Sequence, residues 1–340
     1  MVKAAIVLPG EGCSLADVDL GPVGAGRVRV AMAAVGVCRS DLSIADGTIP
    51  HRLPAVLGHE GAGHVVEVGP GVSGVAVGDP VVLNWMPACG RCRWCRAEQP
   101  FLCSAAAAAG QADYARTGDG TVLGAALGTG AFAEEVIVTE RAVVPIPREV
   151  PLDQAALLGC MMLTGYGAVT RAAGVRPGES VLVFGAGGIG QAVIAAARLA
   201  GADPIIAVDT DPAKEESCLA NGATVFCADK AAAVRQTAAA TERAGADHVF
   251  DCVGSAETIR LAWRLTRRGG ATTVVGIGPA GQTVQFNAQE LSTAGKTLRG
   301  CVYGDSLPEL DIPVLVELLR TGRLDLAGLI GDRVGLVDLP

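Results

Sequence analysis

The sequence predicts an α/β protein of two domains, a β-rich, barrel-like first half and a doubly wound parallel sheet in the second. Three observations predict it. The chain has 340 residues, which corresponds to two domains at roughly 150 residues each. Residues 1–150 carry short alternating apolar runs broken by Gly and Pro, the pattern of a β-rich unit. Beyond residue 180, apolar runs of strand length alternate with helical stretches, as in a parallel sheet with crossover helices.

Composition narrows the function. Half the residues are hydrophobic and the mean hydropathy is +0.40, which excludes a disordered linker. The formal net charge is −8 and the pI about 5.1, where a nucleic-acid binder would carry a basic face. Residues 180–197 are uncharged but contain Gly185, Gly187, Gly188, Gly190 and Gln191, so they read as strand, turn and helix rather than a membrane span. Lys3 is followed by only five apolar residues before Pro9, too few for a secretory signal, and a cytoplasmic location is expected. Eleven cysteines in such a chain point to metal binding rather than to a disulfide framework.

In the first half, residues 28–32, 63–69 and 79–83 alternate as strands. The alanine run 105–109 reads as a helix start or a pliable loop. Cys89, Cys92, Cys95 and Cys103 follow the spacing C-x2-C-x2-C-x7-C. Four thiolates on one loop can close a tetrahedron around Zn2+ and leave no position for substrate, so this reads as a structural site; the alternative is free or oxidised thiols in a loop. A second set is Cys38, His59 (21 residues later, in Gly58-His59-Glu60) and Cys160. Each alone reads as a packed Cys or a loop His. Together with the cysteine loop they read as a catalytic zinc set, two Cys and one His with one open position.

In the second half, residues 181–184 form a buried-strand pattern that runs into Gly185-Ala186-Gly187-Gly188-Ile189-Gly190 and an alanine-rich helix. This G-x-G-x-x-G in strand–turn–helix context lets a pyrophosphate approach the backbone and rest on the helix N-terminus. A second strand over 204–208 ends at Asp209, 24 residues after Gly185. A carboxylate there takes the adenosine ribose hydroxyls and repels a 2′-phosphate, favouring NAD over NADP. Residues 246–254 and 270–276 read as further strands.

With these motifs in order, the chain resembles the zinc-dependent medium-chain alcohol dehydrogenases, in their class I/III-like branch. Gly58-His59-Glu60-Gly61-Ala62-Gly63, the four-cysteine loop, Gly159-Cys160 before Thr164-Gly165-Tyr166-Gly167, and the glycine loop carry the resemblance from about Lys3 to Pro340. It implies a GroES-like catalytic domain over 1–160, with the structural zinc loop at 89–103, and a Rossmann NAD-binding domain over 161–302. Residues 303–340 would begin a C-terminal return to the catalytic domain that ends early. The active site would lie in the cleft between the domains.

By motif position, the resemblance makes Cys38, His59 and Cys160 the catalytic zinc ligands and Glu60 the acid that can approach the metal. Asp41 would orient the zinc-bound His, and Ser40 would be the first hydroxyl of the proton relay. Arg39, Thr164, Ile189, Lys214 and Ile277 would join Gly185, Gly187, Gly188, Gly190 and Asp209 in holding NAD(H). Ile49, Trp85, Leu127, Ile277 and Val302 would line an apolar substrate pocket. The implied reaction is hydride transfer between nicotinamide and a neutral, primary alcohol or aldehyde. The alternatives are a thiol-adduct formaldehyde dehydrogenase and a non-catalytic NAD-binding scaffold or sensor. Polyol dehydrogenases fit less well, since most lack a filled four-cysteine loop. A homodimer is expected, or a homotetramer, joined at an edge strand over 297–303, with no nucleic acid and no membrane as partner.

The match departs in places. The outer relay His of many relatives is Ser43, the usual Gly after the Cys160 position is Met161, and the chain stops about 30 residues sooner than the family. Glutathione-using relatives carry an Arg shortly after the fourth loop Cys, where this chain has Ser104 and five alanines. His51 reads as a solvated loop residue, and His64 and His248 as strand-edge side chains.

Overall fold

The computed structural model describes residues 1–339. The chain divides into two units, 1–160 with 307–340, and 161–306. The first opens with β1 (Val2–Val7), β2 (Cys13–Asp19), β3 (Arg27–Gly36), α1 (Arg39–Ala45), β4 (Ala55–Val56), β5 (Glu60–Val68) and β6 (Pro80–Leu83). It continues with α2 (Arg93–Arg96), α3 (Ser104–Ala109), β7 (Ala115–Thr117), β8 (Val122–Ala125), β9 (Glu135–Thr139), β10 (Val143–Pro145) and α4 (Leu152–Ala156).

Strands β1, β2, β7, β8 and β4 close a barrel, and β10-β6-β5-β3-β9 form a second sheet. The alternation at 28–32 puts Val28 and Val30 at 0% exposure, packed with Val65, Val81, Leu83 and Val136 in one cluster. On the other side of the strand, Arg29 pairs with Glu67 and Glu135 at 3.1 and 3.0 Å. The alanine run is the short helix α3, which starts directly after the fourth loop cysteine.

The second unit contains α5 (Met161–Gly167), β11 (Val181–Phe184), α6 (Gly188–Leu199), β12 (Ile205–Val208), α7 (Glu215–Asn221), β13 (Val225–Cys227) and α8 (Lys230–Ala240). It ends with β14 (Ala246–Asp251), α9 (Ala256–Leu265), β15 (Thr266–Val274), α10 (Ala288–Thr293) and β16 (Thr297–Gly300). Its sheet is wholly parallel, in the order β13-β12-β11-β14-β15-β16. That is the doubly wound order 3-2-1-4-5-6, and it reverses beside β11. Strands covered on both faces read as unbroken apolar runs, and β11 and β12 are buried along their whole length.

The chain then returns to the first unit through α11 (Pro308–Arg320), which has Pro308 in its first turn. Arg320 bonds Glu149 at 2.9 Å and Arg333 bonds Asp153 at 2.7 Å. Leu336 and Leu339 pack on a cluster built from Ala5, Val7, Ile44, Leu57, Ala126 and Phe132. Among the described residues, no helix is long and apolar enough to cross a membrane.

Candidate active site

Cys38 precedes α1 as its N-cap, and Asp41 stands at the third helical position. The Cys38 backbone N–H donates to Asp41 Oδ2 at 3.1 Å, the reciprocal half of a capping box. Asp41 Oδ1 accepts from the Gly58 N–H at 3.1 Å and faces His59 Nδ1 at 3.1 Å. One carboxylate, 2% exposed, therefore ties the helix start to the loop that carries His59. The loop is also held by Thr129, whose hydroxyl donates to the Gly58 carbonyl at 3.1 Å. Gly58 has φ +87°, and a Cβ there would meet the Phe132 N at 2.4 Å, so only glycine fits.

Cys160 comes to the same place because Gly159 lets the chain pass close to β6: a Cβ on Gly159 would lie 2.6 Å from the Leu83 carbonyl oxygen. The ligand atoms of Cys38, His59 and Cys160 all lie within 4.8 Å of one another. Asp41 occupies Nδ1 of the imidazole, which leaves Nε2 for the cysteine pair. A hydrogen bond from Cys160 holds the Cys38 thiol down at about 4, against burial and with help from His59. The same bond, with burial and the nearby charge of Glu60, pushes Cys160 well above the ordinary thiol value. Burial works against a proton on His59, but hydrogen bonds with Asp41 and Cys38 hold its pKa up at about 10.

Two soft thiolates and an imidazole oriented by a carboxylate fit Zn2+, which replaces such shared protons on binding. Glu60 is 3% exposed, and a Cβ on Gly36 would lie 2.8 Å from its Oε2, so β3 and β5 pass closely where this acid stands. Trp85 lies edge-on to His59, with ring centroids 6.2 Å apart. Ile49 and Leu127 join the apolar cluster around Ile44 and Phe132, with Leu127 at φ +49°. Ser40 is half-buried, Ser43 buried and Arg39 exposed on α1.

The four loop cysteines also converge, with all sulfurs within 4.8 Å of one another. Cys92 Sγ is 3.5 Å from Cys95 Sγ and 3.9 Å from Cys103 Sγ. Tetrahedral Zn–S bonds of about 2.3 Å place sulfurs roughly 3.8 Å apart, so the set fits a closed zinc site. Backbone N–H groups already favour thiolate here. That of Arg91 lowers Cys89, and that of Cys95 brings Cys92 down to about 6. Burial beside Cys92 pushes Cys95 up to about 12.

In the second unit the glycine loop joins β11 to α6. Gly185 has φ +84°, and a Cβ on Gly190 would lie 1.8 Å from the Gly185 carbonyl oxygen. Nothing lies within 4 Å of a Cβ built on Gly187, so its outer side is open to a ligand. Asp209 Oδ2 accepts the Ala186 N–H at 2.7 Å and its Oδ1 accepts the Asp211 N–H at 2.9 Å. The acid thus fixes the turn while standing at the end of β12. Turn, helix N-terminus and acid fit a dinucleotide. Thr164 is buried on α5, while Lys214, Ile277 and Val302 are exposed on this unit.

His51, His64 and His248 stand outside both ligand sets, and neither His64 nor His248 lies on an edge strand. His51 is half-buried, with Nδ1 2.9 Å from the Arg52 carbonyl oxygen, because the loop folds back toward Gly110. His64 is exposed on β5, an inner strand paired on both sides rather than a sheet edge. His248 bonds Glu179 at 2.9 Å within the parallel sheet. The sequence reading missed Thr129 and the close approaches at Gly36 and Gly159, since each depends on a partner distant along the chain.

Residues 24–148 match the family of alcohol dehydrogenase GroES-like domains, and residues 188–321 match the zinc-binding dehydrogenases. The chain is 36% identical to an S-(hydroxymethyl)glutathione dehydrogenase of Synechocystis over 97% of its own length and 92% of that protein. Among solved structures, it superposes with TM-score 0.90 on an alcohol dehydrogenase zinc-binding domain protein from Burkholderia ambifaria, at 35% identity over 96% of this chain and 90% of that one. A benzyl alcohol dehydrogenase from Acinetobacter calcoaceticus gives TM-score 0.89 at 31% identity, covering 96% and 91% of the two chains. Fold, metal-ligating sets and relatives agree: the chain is an oxidoreductase that belongs to the zinc-dependent medium-chain alcohol dehydrogenase family.

Proposed function

We propose that the chain is an NAD(H)-linked dehydrogenase of primary CH2OH groups, with the adduct of formaldehyde and a small thiol as its first substrate class. The observation that carries the reaction type is the convergence of Cys38, His59 and Cys160 behind the Asp41 brace. These three side chains would hold the catalytic Zn2+, and Cys89, Cys92, Cys95 and Cys103 a structural one. When bound, the catalytic ion supplies a Lewis acid for an alcohol or carbonyl oxygen. Asp41 holds the His59 tautomer, and Ser40 Oγ takes the hydroxyl proton of the substrate and passes it outward. Arg39, Thr164, Ile189, Lys214, Asp209 and the glycine loop would hold the cofactor. Bound NAD+ would supply the hydride acceptor for the carbinol carbon, so that RS–CH2OH and NAD+ would give the S-formyl thiol, NADH and a proton.

The substrate class rests on the Synechocystis relative, which is named an S-(hydroxymethyl)glutathione dehydrogenase. The thiol proposed here is one other than glutathione, because α3 offers Ser104 and five alanines in the stretch where the resemblance puts an arginine in glutathione-using relatives. The benzyl alcohol dehydrogenase supports a second reading, aryl-methanol oxidation, with Trp85 as an apolar wall beside His59. NADH formation is measured with formaldehyde alone, with formaldehyde plus a panel of small thiols, and with benzyl alcohol and cyclohexanol. A thiol-dependent rate exceeding that with benzyl alcohol supports the first reading. A higher kcat/KM for benzyl alcohol without thiol selects the second, and preference for cyclohexanol refutes both. The open edge of β16 is where a second copy would pair to form the proposed dimer, which light scattering tests.

A further inference from the structure

The first residue of α5, Met161, lies against the first residue of α6, Gly188. A Cβ built on Gly188 would sit 3.0 Å from Met161 Sδ and 3.4 Å from its Cγ. The contact is held by helix packing. One turn further along both helices, a Cβ on Gly165 would lie 2.5 Å from the Ala192 Cβ, so α5 and α6 touch nearly backbone to backbone. Met161 therefore stands at the mouth of the glycine loop, half-buried, with its thioether over the start of the helix whose N–H groups would face a diphosphate. The neighbouring Gly187 side is open, so a ligand entering there meets the Met161 side chain as one wall.

We propose that Met161 is a cofactor-positioning residue. Its thioether packs against the diphosphate end of the dinucleotide, and its contact with Gly188 sets the depth at which that group seats. The proposal rests on the reading of this loop as the NAD(H) site. An unbranched, polarizable side chain can fill such a gap without strain. A Cβ at 188 would then press on this protein wall as well as on the ligand.

The test measures binding of NADH, ADP-ribose and AMP by fluorescence and calorimetry in wild type, Met161→Gly, Met161→Leu, Gly188→Ala and the Met161→Gly/Gly188→Ala double variant. Zinc content and melting temperature are followed in parallel. Met161→Gly is expected to weaken NADH and ADP-ribose about fourfold to fifteenfold, the effect of losing one or two buried methylene-sized contacts. AMP, which lacks the second phosphate and its ribose, changes less than about twofold, and Met161→Leu stays within about threefold of wild type. The loss caused by Gly188→Ala shrinks about threefold or more once Met161 is removed. Equal weakening of AMP and ADP-ribose, or additive effects of the two substitutions, overturns the proposal. Failure of the wild type itself to bind NADH or ADP-ribose refutes the dinucleotide reading instead.

Discussion

Asp41 Oδ1 lies 3.1 Å from His59 Nδ1, with the two side chains only 2% and 1% exposed. The same carboxylate receives the backbone N–H groups of Cys38 and Gly58. Two of the three proposed zinc ligands are thus oriented by one acid. Asp41→Asn keeps the shape but replaces one acceptor with a donor. Its zinc affinity at the catalytic site is expected to fall about tenfold to a hundredfold. Chelator competition monitors this, with circular dichroism confirming the fold. Unchanged affinity would show that Asp41 only caps α1.

The cysteine loop predicts a separable metal site. Cys95→Ser is expected to lose one of two zinc ions per chain while NADH binding persists. Losing a closed structural site should lower the melting temperature by roughly 10 °C. Metal analysis and a thermal scan decide it. Full zinc content in the variant contradicts the assignment.

These two sites differed in how plainly the sequence announced them. The C-x2-C-x2-C-x7-C loop is local, and its ligands lie close along the chain, so spacing alone carried the geometry. Cys38, His59 and Cys160 are separated by long stretches, and their meeting depends on Gly58, Gly159 and the Asp41 bonds. Strands β11 and β12 were legible because strands buried on both faces read as continuous apolar runs. The strand expected at 270–276 starts earlier, at Thr266, where β14 and β15 pair through an irregular register before Ala271. The edge strand expected over 297–303 stops at Gly300, and the chain turns at 303–305. Tyr303 and Asp305 both adopt positive φ, and Arg299 pairs with Asp305 to hold them. Gly304 between them, at φ +71°, is the local residue that signals a left-handed turn, but nothing signals that both its neighbours share it.

Asp209 is predicted to act twice, on the turn and on the cofactor. Removing it as Asp209→Ala frees the Ala186 N–H and lifts the charge that opposes a 2′-phosphate. NADH binding should weaken about tenfold, while NADPH binding changes little or improves. Titrations with both cofactors measure the ratio. An equal loss for both would leave Asp209 with a turn-fixing role alone.

Asp247 ties three strand starts of the parallel sheet together. It accepts the Ser180 N–H at 2.8 Å, the Ser180 hydroxyl at 2.5 Å and Arg267 Nε at 2.5 Å. Burial opposes its charge, but these donors outweigh it and hold the carboxyl below its ordinary range. A depressed carboxylate stabilises the fold above its unfolded pKa and loses that contribution as pH falls through the folded value. Asp247→Asn should therefore cost about 1–2 kcal/mol at pH 7, a few degrees in Tm, and the gap to wild type should close below about pH 4. A gap that stays constant down to acid pH would show that the carboxylate charge contributes nothing.

In the proposed function, the Cys38, His59 and Cys160 set holds the metal that makes this chain a dehydrogenase. The most direct measurement compares wild type and Cys38→Ser for zinc content, NADH binding and NADH formation from formaldehyde with thiol and from benzyl alcohol. Cys38→Ser is expected to hold one zinc fewer and to bind NADH within about twofold of wild type. It is also expected to form no NADH from either substrate. Turnover that survives the loss of that zinc would contradict this role of the metal.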